Sequence, residues 1–168
     1  IKDAISDLPR IDNNSFASFY KSNPKNDYQK IMRKNAPEQL MDHNSSRHGD
    51  KIINAMSFLP EGGLKADIPK EYRPKSGYPN SYGRLWWKKP ATTITRNFGT
   101  PSSARCIHPK VNRALTTREG ARLQSFPDYF RFYGSRAKKN LQIGNAVPPL
   151  LAYKIGVSVA NALDNCQL

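Results

Sequence analysis

The stretch Asn140–Gly156 reads NLQIGNAVPPLLAYKIG. Gly144-Asn145 is a turn pair, and Pro148-Pro149 can open a helix because proline has no N–H to leave unpaired in a first turn. Leu151, Ile155, Val159 and Leu163 then recur at helical spacing. The pattern predicts a last helix from Pro148-Pro149 with one apolar face buried. A donor-rich turn set directly before a rigid helix start suits a ligand docking at the turn. A capped helix start that holds no ligand is the plain alternative.

Toward the N-terminus, Thr116-Thr117-Arg118-Glu119 has the capping-box form, with Thr at the cap and Glu three residues on. It predicts a helix from Thr117 to about Ser125, stopped at Phe126-Pro127-Asp128. The β-branched run Thr92–Phe98, TTITRNF, predicts a strand, and Arg105–Pro109, RCIHP, a second short one. Asp50 to Leu59 predicts a helix with Ile52, Ile53, Met56 and Leu59 on one face and Pro60 at its end. Asp27 to Lys34 predicts a shorter one capped by Asn26 or Asp27, and Ile1 to Leu8 a helical turn stopped by Pro9. Residues 60–83 are turn-rich and without a period.

The chain has 168 residues and a net charge of +14, unevenly spread. Between Ile68 and Lys139 there are 16 Lys and Arg against Glu71, Glu119 and Asp128, so that window holds +13 of the total. Such density points to a polyanion, most often nucleic acid; a solvated basic surface is the plain reading. Tyr72, Tyr78, Tyr82, Trp86, Trp87, Phe98 and Tyr129 lie among these cations, which suits stacking on bases, although either Trp alone is better read as the cap of a small core. His43-x4-His48 and Cys106-x-His108 match no compact zinc spacing. Cys106 sits among bases that would lower its pKa, but no partner motif for a nucleophile accompanies it, and Cys166 reads as a tail residue. Two cysteines make no disulfide framework, which fits a reducing, cytoplasmic setting. No apolar run reads as a membrane span. The first residue is Ile1, and the chain is expected to be a piece of a longer protein.

Residues 113–130, RALTTREGARLQSFPDYF, followed by 142–152, QIGNAVPPLLA, resemble motifs IX and X of the cytosine-5 DNA methyltransferases. The run 84–95, RLWWKKPATTIT, resembles the end of the target-recognition domain that precedes motif IX. The resemblance is strong from Tyr82 to Ala162 and weaker over residues 1–83. It implies an α+β piece in two parts: residues 1–104 a loop-rich target-recognition domain with a few strands, and residues 105–168 the C-terminal helices of a Rossmann-like α/β methyltransferase domain.

Several roles follow from the resemblance alone. Thr93-Ile94 resembles the pair that contacts the backbone near a flipped cytosine. Arg96, Asn97 and Gly99 are candidate base or phosphate contacts, joined by Arg84, Lys88 and Lys89. The Gly144-Asn145-Ala146-Val147 turn closes one side of an S-adenosylmethionine pocket, with Asn145, Ala146 and Val147 as its binding residues. Arg118, Glu119, Arg122 and Gln124 look structural, and Arg118 and Arg122 would then pair with acids of a missing part. The family's Pro-Cys nucleophile, Glu-Asn-Val motif and Phe-x-Gly-x-Gly loop have no counterpart here. The resemblance therefore implies double-stranded DNA as one partner and a motif I–VIII half as another, with a bacterial restriction–modification setting. This chain alone is expected to be inactive. A stand-alone DNA-binding module without chemistry, or a relative acting on RNA cytosine, are the other readings.

Overall fold

A computed structural model describes residues 1–165. Six α-helices run in order: α1 Lys2–Ile5, α2 Asp27–Arg33, α3 Asp50–Ser57, α4 Thr117–Leu123, α5 Arg136–Asn145 and α6 Pro149–Asn165. A single 3₁₀ turn occupies Lys65–Asp67. The helices expected from the caps are present. Asn26 caps α2 by accepting from the Gln29 N–H at 2.9 Å. Thr116 caps α4, and Glu119 reaches back to the Thr116 N–H at 2.8 Å.

The expected strands are absent among the described residues, where backbone pairing is confined to isolated bridges. Ile107 pairs with Arg84 on one side and Ala114 on the other, which is all that remains of the strand expected at Arg105–Pro109. Residues 92–98 pair with no neighbour and bend instead: the Phe98 N–H donates to the Thr95 carbonyl and the Thr100 N–H to that of Asn97. Ile94 and Phe98 are buried while Thr93, Thr95, Arg96 and Asn97 are exposed, a spacing of four where a strand requires two.

α4 is the centre of the packing. α1 and α5 both lie against it, and α2 lies against α1. A cluster including Leu85, Ile94, Phe98, Leu115, Phe126 and Ile143 surrounds it, so residues on either side of position 104 share one core. Met56 of α3 and Leu59 just beyond it enter a second cluster with Ile68, Tyr82 and Ile107.

Arginines fill much of the interior. Arg113 grips Glu119 through two bonds of 2.8 Å. Arg122 grips Asp128 through two of 2.6 Å and reaches Asp7 at 3.1 Å. Tyr20 donates to Asp128 at 2.6 Å, and Arg118 lies 3.7 Å from the same carboxylate. The acids that pair with Arg118 and Arg122 thus belong to this chain, not to a missing part. Burial by itself would raise the Glu119 carboxyl, but the Arg113 guanidinium outweighs it and holds the group well below the usual carboxylate range.

α6 behaves differently. None of its described residues is buried, and Leu151, Tyr153, Ile155, Val157, Val159 and Leu163 are between 40% and 65% exposed. The apolar face is real, but nothing among the described residues covers it. By length and composition alone, the run Arg136–Asn165 is apolar enough to cross a membrane, with a mean hydropathy of 1.3 over its best window. That run is broken between α5 and α6, at residues 146–148.

Candidate functional site

The residues at the opening stretch do not form a free turn. Gly144 and Asn145 are the last residues of α5, and the chain turns only at Ala146. Two bonds fix this corner to α4. Gln124 Nε2 donates to the Ile143 carbonyl at 3.2 Å. The Leu150 N–H donates to Ser125 Oγ at 3.1 Å, which satisfies an otherwise orphaned amide of the first turn of α6. Ser125 adopts φ 58°, and this left-handed bend ends α4 and presents the hydroxyl.

A cavity of about 730 Å³ opens beside the corner. Its lining brings Thr92, Thr93 and Ile94 together with Gly144, Ala146 and Pro148. Two segments some 50 residues apart in sequence, expected to serve DNA and cofactor respectively, therefore meet at one space. The volume falls within the roughly 300–1,000 Å³ typical of small-molecule sites. Gln124 and Tyr28 also line it and were not anticipated as site residues. Tyr28 donates to the Arg122 carbonyl, and burial raises its hydroxyl pKa to about 12, so it serves as a neutral wall.

The other expected residues distribute unevenly. Ala146 lines the cavity, whereas Asn145 and Val147 are exposed outside it. Arg96 and Asn97 are exposed on the bend that follows Ile94, and Lys88 and Lys89 are exposed on the loop before it. Gly99 is half-buried against α5. Arg84 is buried, and its five N–H groups are spent inside the fold. Nε donates to Leu59 O, Nη1 to His108 O and Val111 O, and Nη2 to Met56 O and Asn112 Oδ1. It has no donor left for a phosphate.

The histidines and Cys106 also turn inward. His43 Nε2 donates to the Pro9 carbonyl at 2.7 Å and Nδ1 accepts from Thr116 Oγ1 at 3.1 Å, which ties the cap of α4 to the N-terminal segment. Burial lowers the His43 and His48 pKa values and takes His108 to about 4. Burial pushes the Cys106 thiol up, the reverse of the activation expected from its basic neighbours. Among the described residues no group of His, Cys, Asp and Glu is arranged to hold a metal ion.

The family model of the C-5 cytosine-specific DNA methylases matches residues 2–161. The chain belongs to that family. This methylase chain is 41% identical over 126 residues to the type II methyltransferase M1.HphI of Haemophilus parahaemolyticus, covering 75% of this chain and 32% of that protein. It is 34% identical to M.DdeI of Desulfomicrobium norvegicum, covering 100% of this chain and 44% of that protein. Among solved structures it resembles a putative DNA modification methyltransferase encoded within an Escherichia coli prophage. The TM-score is 0.65 at 27% identity, covering 97% of this chain and 47% of the other. The methylase chain thus spans less than half the length of these relatives. Membership in the family is consistent with a methyltransferase fold.

Proposed function

We propose that this chain is the DNA-reading and pocket-closing portion of a DNA cytosine-5 methyltransferase. Residues 1–104 read duplex DNA, and residues 105–168 return to the catalytic domain through α4, α5 and α6. The observation that carries this reading is one cavity lined by both Thr93-Ile94 and Gly144 with Ala146. A reaction that moves a methyl group from a cofactor to a base needs both ligands at one space, and each wall belongs to a motif with one of those roles in the family. S-adenosylmethionine, when bound, supplies the methyl group; Gly144 and Ala146 would form part of its wall, with Asn145 and Val147 beside it. Arg96, Asn97, Lys88 and Lys89 are the exposed candidates for DNA contact, and Thr93 and Ile94 face the target base.

The chain has no Pro-Cys nucleophile, so methyl transfer requires a motif I–VIII half. The uncovered apolar face of α6 supports docking to that half, whether it is a separate subunit or an upstream part of the same protein. The type II names of the relatives support a restriction–modification setting, and the bacterial cytoplasm is the location proposed with it.

The test is tritiated methyl transfer from S-adenosylmethionine to duplex DNA, with this chain alone and with a motif I–VIII half added. Activity only in the mixture is expected. Activity of the chain alone would overturn the assignment of the nucleophile to the other half. Silence in both, with salt-sensitive DNA binding retained, would favour a non-catalytic binding module.

A further inference from the structure

Segment 93–99 is seated on α4 and α5 by glycines. The Phe98 ring rests where a Cβ of Gly120 would be. Gly99 lies against the Asn140 amide, at 2.7 Å from the place of a Cβ, and that amide oxygen accepts from Thr117 Oγ1 at 2.9 Å. Gly144 makes the third seat, and it differs in kind. A Cβ there would stand 2.5 Å from the Thr95 carbonyl carbon and the Arg96 Cα, and closer still to the Arg96 nitrogen. All three atoms are main chain, so no rotamer relieves the clash. Carbon atoms rest at about 3.5–4.0 Å, so the segment would have to retreat by on the order of 1 Å. Gly156 of α6, by contrast, has nothing within 4 Å of its Cβ position.

We infer that Gly144 is a positioning residue that couples the DNA-reading segment to the cofactor side of the cavity. Its bare Cα lets the Thr95-Arg96 main chain lie directly on the end of α5. The place of Thr93 and Arg96 is thereby set by the same corner that forms the cofactor wall. Whatever orders the corner orders the reading segment, and the coupling is reciprocal because it is thermodynamic. The inference rests on the DNA-reading role proposed above.

The experiment measures binding of this chain to a fluorescent cytosine-containing duplex by anisotropy, with amide hydrogen exchange in parallel. The variants are Gly144→Ala, Gly156→Ala and Asn140→Ala. Gly144→Ala is expected to lower DNA affinity about tenfold or more, equivalent to about 1.4 kcal/mol or more of lost binding free energy. Exchange should rise at residues 93–97 and stay unchanged in α4, a local signature that general destabilisation would not give. Gly156→Ala should bind as wild type. Asn140 is buried, so Asn140→Ala can reach DNA only through the segment it props; it should weaken binding in the same direction but less. It carries the test if Gly144→Ala does not fold. Unchanged affinity in Gly144→Ala, or in Asn140→Ala where that variant decides, would overturn the coupling; so would equal losses in Gly156→Ala. A wild-type chain that binds no duplex would instead overturn the DNA-reading role itself.

Discussion

α4 buries six of its seven residues, three of them charged, whereas α6 buries none of its seventeen. The shorter helix is the more polar and lies at the centre; the longer is the more apolar and lies outside. Hydrophobicity therefore does not decide which element this chain buries; available partners do. Glu119 and Arg122 are tolerable inside because Arg113, Asp7 and Asp128 meet them with short, often two-pronged bonds, and Arg118 because it donates to the Met41 carbonyl with Asp128 3.7 Å away. α6 has an apolar face and no surface among the described residues to receive it. The contrast separates a core whose charges are paired within the chain from a helix whose apolar face stays open among the described residues.

The contrast is broken most directly at Arg122. Arg122→Ala leaves Asp7 and Asp128 buried without their main counter-charge and should cost about 3–5 kcal/mol, read as a lower midpoint in urea unfolding. Acid attacks the same core. His108 is held at about 4 against an ordinary 6.5, with His43 and His48 shifted the same way. The unfolded chain binds these protons first, so their contribution is full above about pH 6.5 and is lost as pH falls toward 4. For His108 alone the loss approaches about 3 kcal/mol. Unfolding midpoints measured at pH 7, 5.5 and 4 should fall in that order. Thr116→Ala removes both the α4 cap and the hydroxyl that donates to His43, at about 1–2 kcal/mol in thermal melts. Ile155→Ser on α6 should leave the stability of the chain within about 0.5 kcal/mol. It should weaken capture of a motif I–VIII half in pull-down, and a large stability loss would show that α6 packs on this chain after all.

The sequence revealed those elements that announce themselves locally. The Thr116–Glu119 box and the Asn26 cap lie within one turn of the helices they start, so α4 and α2 were legible. α5 was not. Its first turns, Arg136-Ala137-Lys138-Lys139, offer no apolar stripe, only Asn140 and Ile143 are buried, and it ends in Gly144-Asn145, a pair that usually marks a turn. The β-branched Thr92–Phe98 run misled because strand propensity expresses a fit to neighbouring strands, and this segment has α4 and α5 as neighbours instead. At the site, both walls were recognisable as motifs, but their meeting was not. It depends on glycine seats at 120 and 144 that bring distant segments to backbone contact. Arg84 was misread because charge in sequence says nothing about burial.

Arg84 carries a wider consequence. Of twelve arginines, Arg84, Arg113, Arg118 and Arg122 are buried, while thirteen of the fifteen lysines are exposed. The fold uses guanidinium groups as interior carpentry and leaves ammonium groups to face the solvent. Lysine is a compact point charge that attracts any phosphate, whereas arginine can fork onto a guanine edge. On the DNA-reading role proposed above, adhesion to DNA would be mostly blind to sequence, and the power to discriminate would be concentrated in the few arginines left outside, Arg96 foremost among them.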